Sequence, residues 1–202
     1  MLGKILFELK RHAPFTALGT ASGLALMAFF VFAGVPRGIS EKLFWTLHPM
    51  HVLISAMVTT AIYRANSRGG ITMTLIVGYL GSIGIATLSD SIIPYAGEFL
   101  LNLPHRGVHL GFIEKWWLVN PLALVGIGIG CVWRNTRFPH AGHVFLSTWA
   151  SLFHMTMAMG LGVTLFDFAV VALFLFLAVW IPCCTSDIVF PLLWTGDERS
   201  KP

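Results

Sequence analysis

The stretch His48-Pro49-Met50-His51-Val52-Leu53-Ile54-Ser55 returns later in the chain as His140-Ala141-Gly142-His143-Val144-Phe145-Leu146-Ser147. Each copy reaches a second hydroxyl four residues further on, Thr59 in the first and Ser151 in the second. Residues three and four apart share one face of an α-helix. Each copy therefore predicts a helix with a polar stripe along an otherwise apolar body. The match has flanking support. Upstream, Pro14-x4-Gly19-x3-Gly23 parallels Pro121-x4-Gly126-x3-Gly130, and downstream, Ser89-Asp90-x3-Pro94 parallels Ser186-Asp187-x3-Pro191. A small-xxx-small pair is common in membrane helices because it lets backbones approach. Three matches in the same order predict a duplicated three-helix unit. The third and sixth segments agree only around Ser-Asp, since Gly78, Gly81 and Gly84 have no counterparts.

The setting of these helices follows from composition. Of 202 residues, 56% are hydrophobic and only 11% charged, and the mean hydropathy is +0.78. A soluble domain carries about 25% charged residues, so this surface must meet lipid. Runs long enough to cross ~30 Å of hydrocarbon recur at about 13–35, 43–64, 71–93, 117–134, 140–163 and 165–187. The first run exceeds the 7–15 residues of a signal-peptide core and is expected to be a retained helix. The fold class is thus an all-α polytopic membrane bundle of about six transmembrane helices, built as two inverted three-helix repeats. The expected units are 1–104, with an interfacial segment at its end, and 105–202. A pI near 9.2 would suggest nucleic acid in a soluble protein. Here the basic residues lie in short loops, where they set membrane orientation, and no nucleic-acid partner is expected.

An odd number of spans per unit inverts the second copy. With both termini on one side, that side collects Lys4, Lys10, Arg11, Arg64, Arg68, Arg134, Arg137, Arg199 and Lys201, against Arg37, Lys42, Arg106 and Lys115 on the other. The positive-inside rule places both termini in the cytoplasm of a bacterial-type inner membrane. Trp45, Trp116, Trp117, Trp133 and Trp194 fall near span ends, as an aromatic belt does. On these spans His48, His51 and Asp90 lie towards the periplasmic face, and His140, His143 and Asp187 towards the cytoplasmic face.

Ionisable groups inside membrane segments cost roughly 2.5–3.5 kcal/mol at mid-bilayer and mark function by default. The six residues just named are the candidate metal ligands, with Ser55, Thr59, Ser147, Ser151 and His154 as a supporting polar stripe. Imidazole and carboxylate together suit Zn, Fe, Mn, Ni or Co, and a carboxylate also orients a ligating imidazole through its second nitrogen. The same groups suit proton relay, because histidine titrates near neutrality. Pro49, Pro139 and Pro182 place irregular backbone beside these positions, which membranes tolerate where it lines a cavity. His105 and His109 sit in the long connection 94–115 as optional additions to the outer site. Glu98 is expected in interfacial water, and Asp167 at a helix N-cap or in a solvated loop. Cys131, Cys183 and Cys184 form no C-x-x-C pair and read as small hydrophobes.

Four functions follow. The first is a small transporter or channel for a divalent metal cation, with proton coupling as an option, since inverted repeats are the recurrent architecture of alternating access. The second is an electron-transfer subunit holding haem b. There His140 or His143 would pair with His12, and His48 or His51 with His109. The third is a membrane-embedded metalloenzyme using metal-activated water. The fourth is an accessory subunit of a membrane complex. Partners are the lipid bilayer and a metal ion or proton, with a homo-oligomer or larger assembly as the quaternary options. No Walker, Rossmann, G-x-S-x-G or H-E-x-x-H motif points to an enzyme.

Overall fold

The computed structural model describes residues 2–67, 69–133, 137–160, 163–184 and 189–194, and these are all-helical, with no strand among them. In chain order they form α1 (Leu2–Phe32), α2 (Arg37–Asn66), α3 (Ile71–Thr87), a π turn (Leu88–Ile92), α4 (Ile93–Leu100), α5 (Gly111–Glu114), α6 (Trp116–Val132), α7 (Arg137–Ala158), α8 (Leu165–Cys184) and α9 (Phe190–Leu193). Three helical segments are long and apolar enough to cross a membrane: Ala13–Phe32, Ile71–Leu100 and Leu165–Cys183. Trp116–Val132 is equally apolar but shorter.

The radial distribution is that of a protein solvated by lipid. Phe29, Phe32, Leu80, Leu124, Val132 and Leu165 face outward, while Ser55, Thr59, Thr74, Ser82, Asp90, Glu98 and His143 are buried. Charged groups are almost never buried in soluble domains unless paired, and here polar and ionisable groups lie inside together with an apolar core. In α2 and α7 the interior stripe lowers hydropathy. That is why neither is apolar enough to count among the three.

Local chemistry sets the helix ends. Gly34, at φ +61°, closes α1, with Val35 N–H donating to Phe30 O at 3.0 Å and Gly34 N–H to Val31 O at 3.2 Å. This left-handed cap satisfies carbonyls that the helix end would otherwise orphan. Pro36 then caps α2. At the start of α8, Thr164 and Asp167 cap each other: Thr164 N–H donates to Asp167 Oδ2 at 2.7 Å, and Asp167 N–H to Thr164 Oγ1 at 3.3 Å. The expected capping role of Asp167 is thus shared with Thr164.

Two of the observed bounds that differ from the expected spans bear on the site. α2 begins at Arg37, not near 43, because the polar turn Arg37–Lys42 is helical too. The third helix does not end near 93 but continues through the π turn to Leu100. Proline explains the turn. Ile93 N–H bonds back five residues to Leu88 O, and residue 94, next in that register, has no N–H to offer Ser89 O. Ser89 O instead accepts the Ser151 hydroxyl at 2.8 Å.

Around the buried centre, α2 packs on α3, α6 and α7, while α1 packs on α7 and α8. Glycines make two of these contacts close. A Cβ on Gly126 or Gly130 would run into the carbonyls of Leu53 and Met57 in α2, and one on Gly19 would crowd Thr148 of α7. Apolar clusters fill the rest: Met27, Leu152, Met155, Val171 and Leu175 between α1, α7 and α8, and Val52, Ile83, Ala86, Val119 and Ala123 between α2, α3 and α6.

Candidate metal centre

The π turn delivers Asp90 to the interface of α2 and α7. Its Oδ2 lies 2.9 Å from His48 Nδ1 and 2.6 Å from His51 Nδ1. Its Oδ1 accepts Ser89 Oγ at 2.7 Å and Ser147 Oγ at 3.2 Å. Two bonds per oxygen fill the lone pairs of a carboxylate, which only accepts. Both rings therefore present Nδ1–H, and in the neutral imidazole Nε2 keeps a lone pair. All three groups are essentially fully buried.

The two Nε2 atoms meet different surroundings. His48 is closed off, since Phe44 stacks on its ring at 5.4 Å and Gly111 lies against Nε2 so closely that a Cβ would overlap it. His48 holds Asp90 and is not placed to bind an ion. His51 Nε2 has no hydrogen-bond partner among the described residues. The His51 ring stacks on His143, 4.5 Å between centres and 29° between planes. One donor atom each from His51, His143 and Cys183 lie within 4.8 Å of one another, all three residues buried. The Cys183 thiol donates to Ser147 Oγ at 3.3 Å, and Ser147 donates to Asp90. The carboxylate thus touches the triad twice, directly through His51 and by way of Ser147 behind Cys183.

Two imidazoles and a thiolate are a borderline-to-soft donor set. They favour Zn²⁺, with Fe²⁺, Co²⁺ and Ni²⁺ behind it, over a hard ion such as Mn²⁺. Three protein ligands leave a tetrahedral ion one open position, which in catalytic zinc sites is taken by water or substrate. A carboxylate behind one imidazole fixes its tautomer and raises its basicity. His51 and His143 meet face to face, so they are not an axial haem pair with each other, whose nitrogens would point across a porphyrin; the haem pairings expected from sequence run to His12 and His109 instead.

Of the residues expected from sequence, His48, His51 and Asp90 come together as anticipated. His143, expected in a second cluster near the opposite face, packs directly on His51. His51 lies fourteen residues into α2 from Arg37, and His143 six residues into α7 from Arg137. The side chains of His12 and His140, and Asp187 entirely, lie outside the described residues. Ser147 and Ser151 take part, while Ser55 and Thr59 are buried further along the same face of α2. Cys183, read from sequence as a small hydrophobe, is the member of this triad that sequence reasoning missed.

Glu98 also departs from expectation. It is fully buried, not at the interface, and pairs with His154, whose Nδ1 lies 2.6 Å from Oε1. Because the helix runs on to Leu100, Glu98 lies two turns beyond Asp90 and points inward too. No protein-family model matches the chain, and comparisons with curated proteins and with solved structures find no match.

Proposed function

We propose that this chain is a six-span membrane protein that binds a transition-metal cation, Zn²⁺ foremost, between His51, His143 and Cys183, and carries it across the bilayer. The observation that bears most weight is the triad itself: three buried donor atoms within 4.8 Å, braced by a carboxylate whose other contacts are saturated. The meeting of the two proposed halves is the second support. Transport sites of inverted-repeat proteins lie near the midplane where the repeats meet, and the triad draws His51 from one proposed half and His143 and Cys183 from the other.

The proposed duplication also accords with packing. Exchanging α1 with α6, α2 with α7 and α3 with α8 turns α2–α6 into α7–α1, α2–α3 into α7–α8, and α3–α6 into α8–α1, and all six pairs are in contact. The two small-xxx-small segments play matching parts, Gly126 and Gly130 against α2 and Gly19 and Gly23 against α7. In this reading both termini are cytoplasmic by the distribution of Lys and Arg.

The test uses the full chain in liposomes. Stripped of metal and reloaded, the protein should take up one Zn²⁺ per chain by elemental analysis, and Co²⁺ in its place should show a thiolate-to-metal absorption band. Zn²⁺ should then enter protein-containing vesicles and not empty ones. Absence of stoichiometric binding would overturn the site. Binding without flux would overturn transport and leave a resident metal, as in the metalloenzyme reading.

A further inference from the structure

The metal centre does not use Glu98 and His154, although a second carboxylate and imidazole buried in a membrane bundle are as costly as the first. Their surroundings differ from those of Asp90. His154 Nδ1–H donates to Glu98 Oε1, and Gly107 N–H to Oε2 at 3.2 Å. His154 Nε2 lies 3.4 Å from Ser91 Oγ, which also accepts His109 N–H at 2.9 Å. The His109 ring meets the His154 ring at 5.3 Å between centres and 67°. Its Nδ1 is 3.2 Å from Glu114 Oε2. His109 and Glu114 are 27% and 40% exposed, whereas Glu98 and His154 are wholly buried. A graded series of titratable groups thus runs from the surface at the α5 end to an enclosed carboxylate.

We propose that Glu98 and His154 form a buried proton-binding site, distinct from the metal centre, that exchanges with water at the α5 end of the bundle through His109 and Glu114. The hydrogen bonds define two states. In the first, Glu98 is a carboxylate, His154 holds a proton only on Nδ1, and Ser91 O–H donates to Nε2. In the second, a proton taken from water by the His109–Glu114 pair has passed to His154 Nε2. The Ser91 hydroxyl then turns from donor to acceptor, and the Nδ1 proton stays in its bond to Glu98. The pair moves from one net negative charge to none, and no heavy atom need shift. Ser91 suits this reversal because a hydroxyl both donates and accepts.

Facing the pair are His109 of the 101–110 segment, Glu114 of α5, His48 of α2 and Asp90 of the π turn. Arg106 is turned away, bonded to Asn102 and lying over Phe99. α8 contributes Phe174, which does not titrate, against Gly97. His48 and Asp90 are engaged with each other, which leaves the exposed pair as the route for exchange. The segment bearing His109 is pinned to the end of α7 by His105 N–H donating to Ala158 O at 3.2 Å, so the series is held in register.

Infrared difference spectroscopy after a pH jump tests this in metal-stripped protein reconstituted in liposomes, so the outcome is independent of metal binding. Wild type should show paired carboxylate and imidazole band changes that disappear in Glu98→Gln and in His154→Gln. His109→Gln should keep the bands and slow their appearance about tenfold or more. Should Glu98→Gln lose its fold, His109→Gln at the half-exposed end decides alone. Bands unaffected by Glu98→Gln, or a rate unchanged in His109→Gln, would overturn the proposal.

Discussion

Asp90 and Glu98 lie on one helical run, two turns apart, and each accepts a 2.6 Å hydrogen bond from an imidazole Nδ1. Their remaining contacts separate them. Asp90 is enclosed by two histidines and two serines, with every lone pair engaged. Glu98 has one histidine and one backbone amide, and its partner's ring packs against the His109 ring, whose Nδ1 meets exposed Glu114. The same pair of groups is therefore built once to stay fixed and once to exchange. A saturated carboxylate orients its neighbours; one whose imidazole partner has a path to water belongs to a pair that can gain a proton.

The largest effect expected from breaking this contrast is at Asp90. Asp90→Ala strands two imidazole N–H groups and two hydroxyls in the interior, each unsatisfied group costing about 1–3 kcal/mol before relaxation. Denaturation in detergent should register a loss of about 3 kcal/mol or more. Zn²⁺ affinity should fall roughly 10–100-fold, the usual toll for a group that orients a ligating histidine. Glu98→Gln should leave Zn²⁺ affinity within about twofold. Equal losses of affinity in the two variants would dissolve the distinction.

Cys183→Ser comes next, and sharpens it. Zinc and cobalt prefer thiolate to hydroxyl, so Zn²⁺ affinity should drop about tenfold or more and the Co²⁺–thiolate absorption should vanish. The hydroxyl retains the hydrogen bond to Ser147, and stability should change by less than about 1 kcal/mol. A fall in stability with binding intact would make Cys183 a packing residue. Gly111→Ala is smaller and more local. Its Cβ overlaps His48 Nε2 and must push that ring off Asp90, removing one of four hydrogen bonds at a cost of about 1–2 kcal/mol. The infrared bands of Glu98 and His154 should be those of wild type.

How much of this was readable beforehand depends on which physical signal each feature leaves. Apolar runs fix where helices lie, because hydrocarbon demands length and internal backbone bonding, and among the described residues helices overlap the expected stretches, three of them long and apolar enough to cross a membrane. Asp90 with His48 and His51 was legible because a buried carboxylate needs donors and helical spacing supplied them. The meeting of His51 with His143 was not legible, since spacing within one helix says nothing of which residues oppose it across a packed pair, and the helical turn Arg37–Lys42 is polar and reads as loop. Pro94 was a visible signal that reads equally well as a terminator or as the residue behind a π turn. Only the carbonyl of Ser89, bonded to Ser151, distinguishes the two. Glu98 followed the same error, since a helix expected to stop near 93 leaves it outside.

Ser91→Ala carries the smallest predicted change and bears most directly on whether the two centres are separate. Ser91 adjoins Asp90 in the π turn, yet its hydroxyl serves His109 N–H and His154 Nε2 and touches no proposed metal ligand. Its removal should cost about 1 kcal/mol or less, because His109 is near enough to water to find another acceptor. Zn²⁺ affinity should stay within about twofold of wild type, while band changes after a pH jump should slow. A drop in Zn²⁺ affinity comparable to that of Asp90→Ala would instead mean that the π turn transmits a change at either carboxylate to the other. The protein would then hold one coupled unit, with proton occupancy of the Glu98–His154 pair setting the hold on metal at His51.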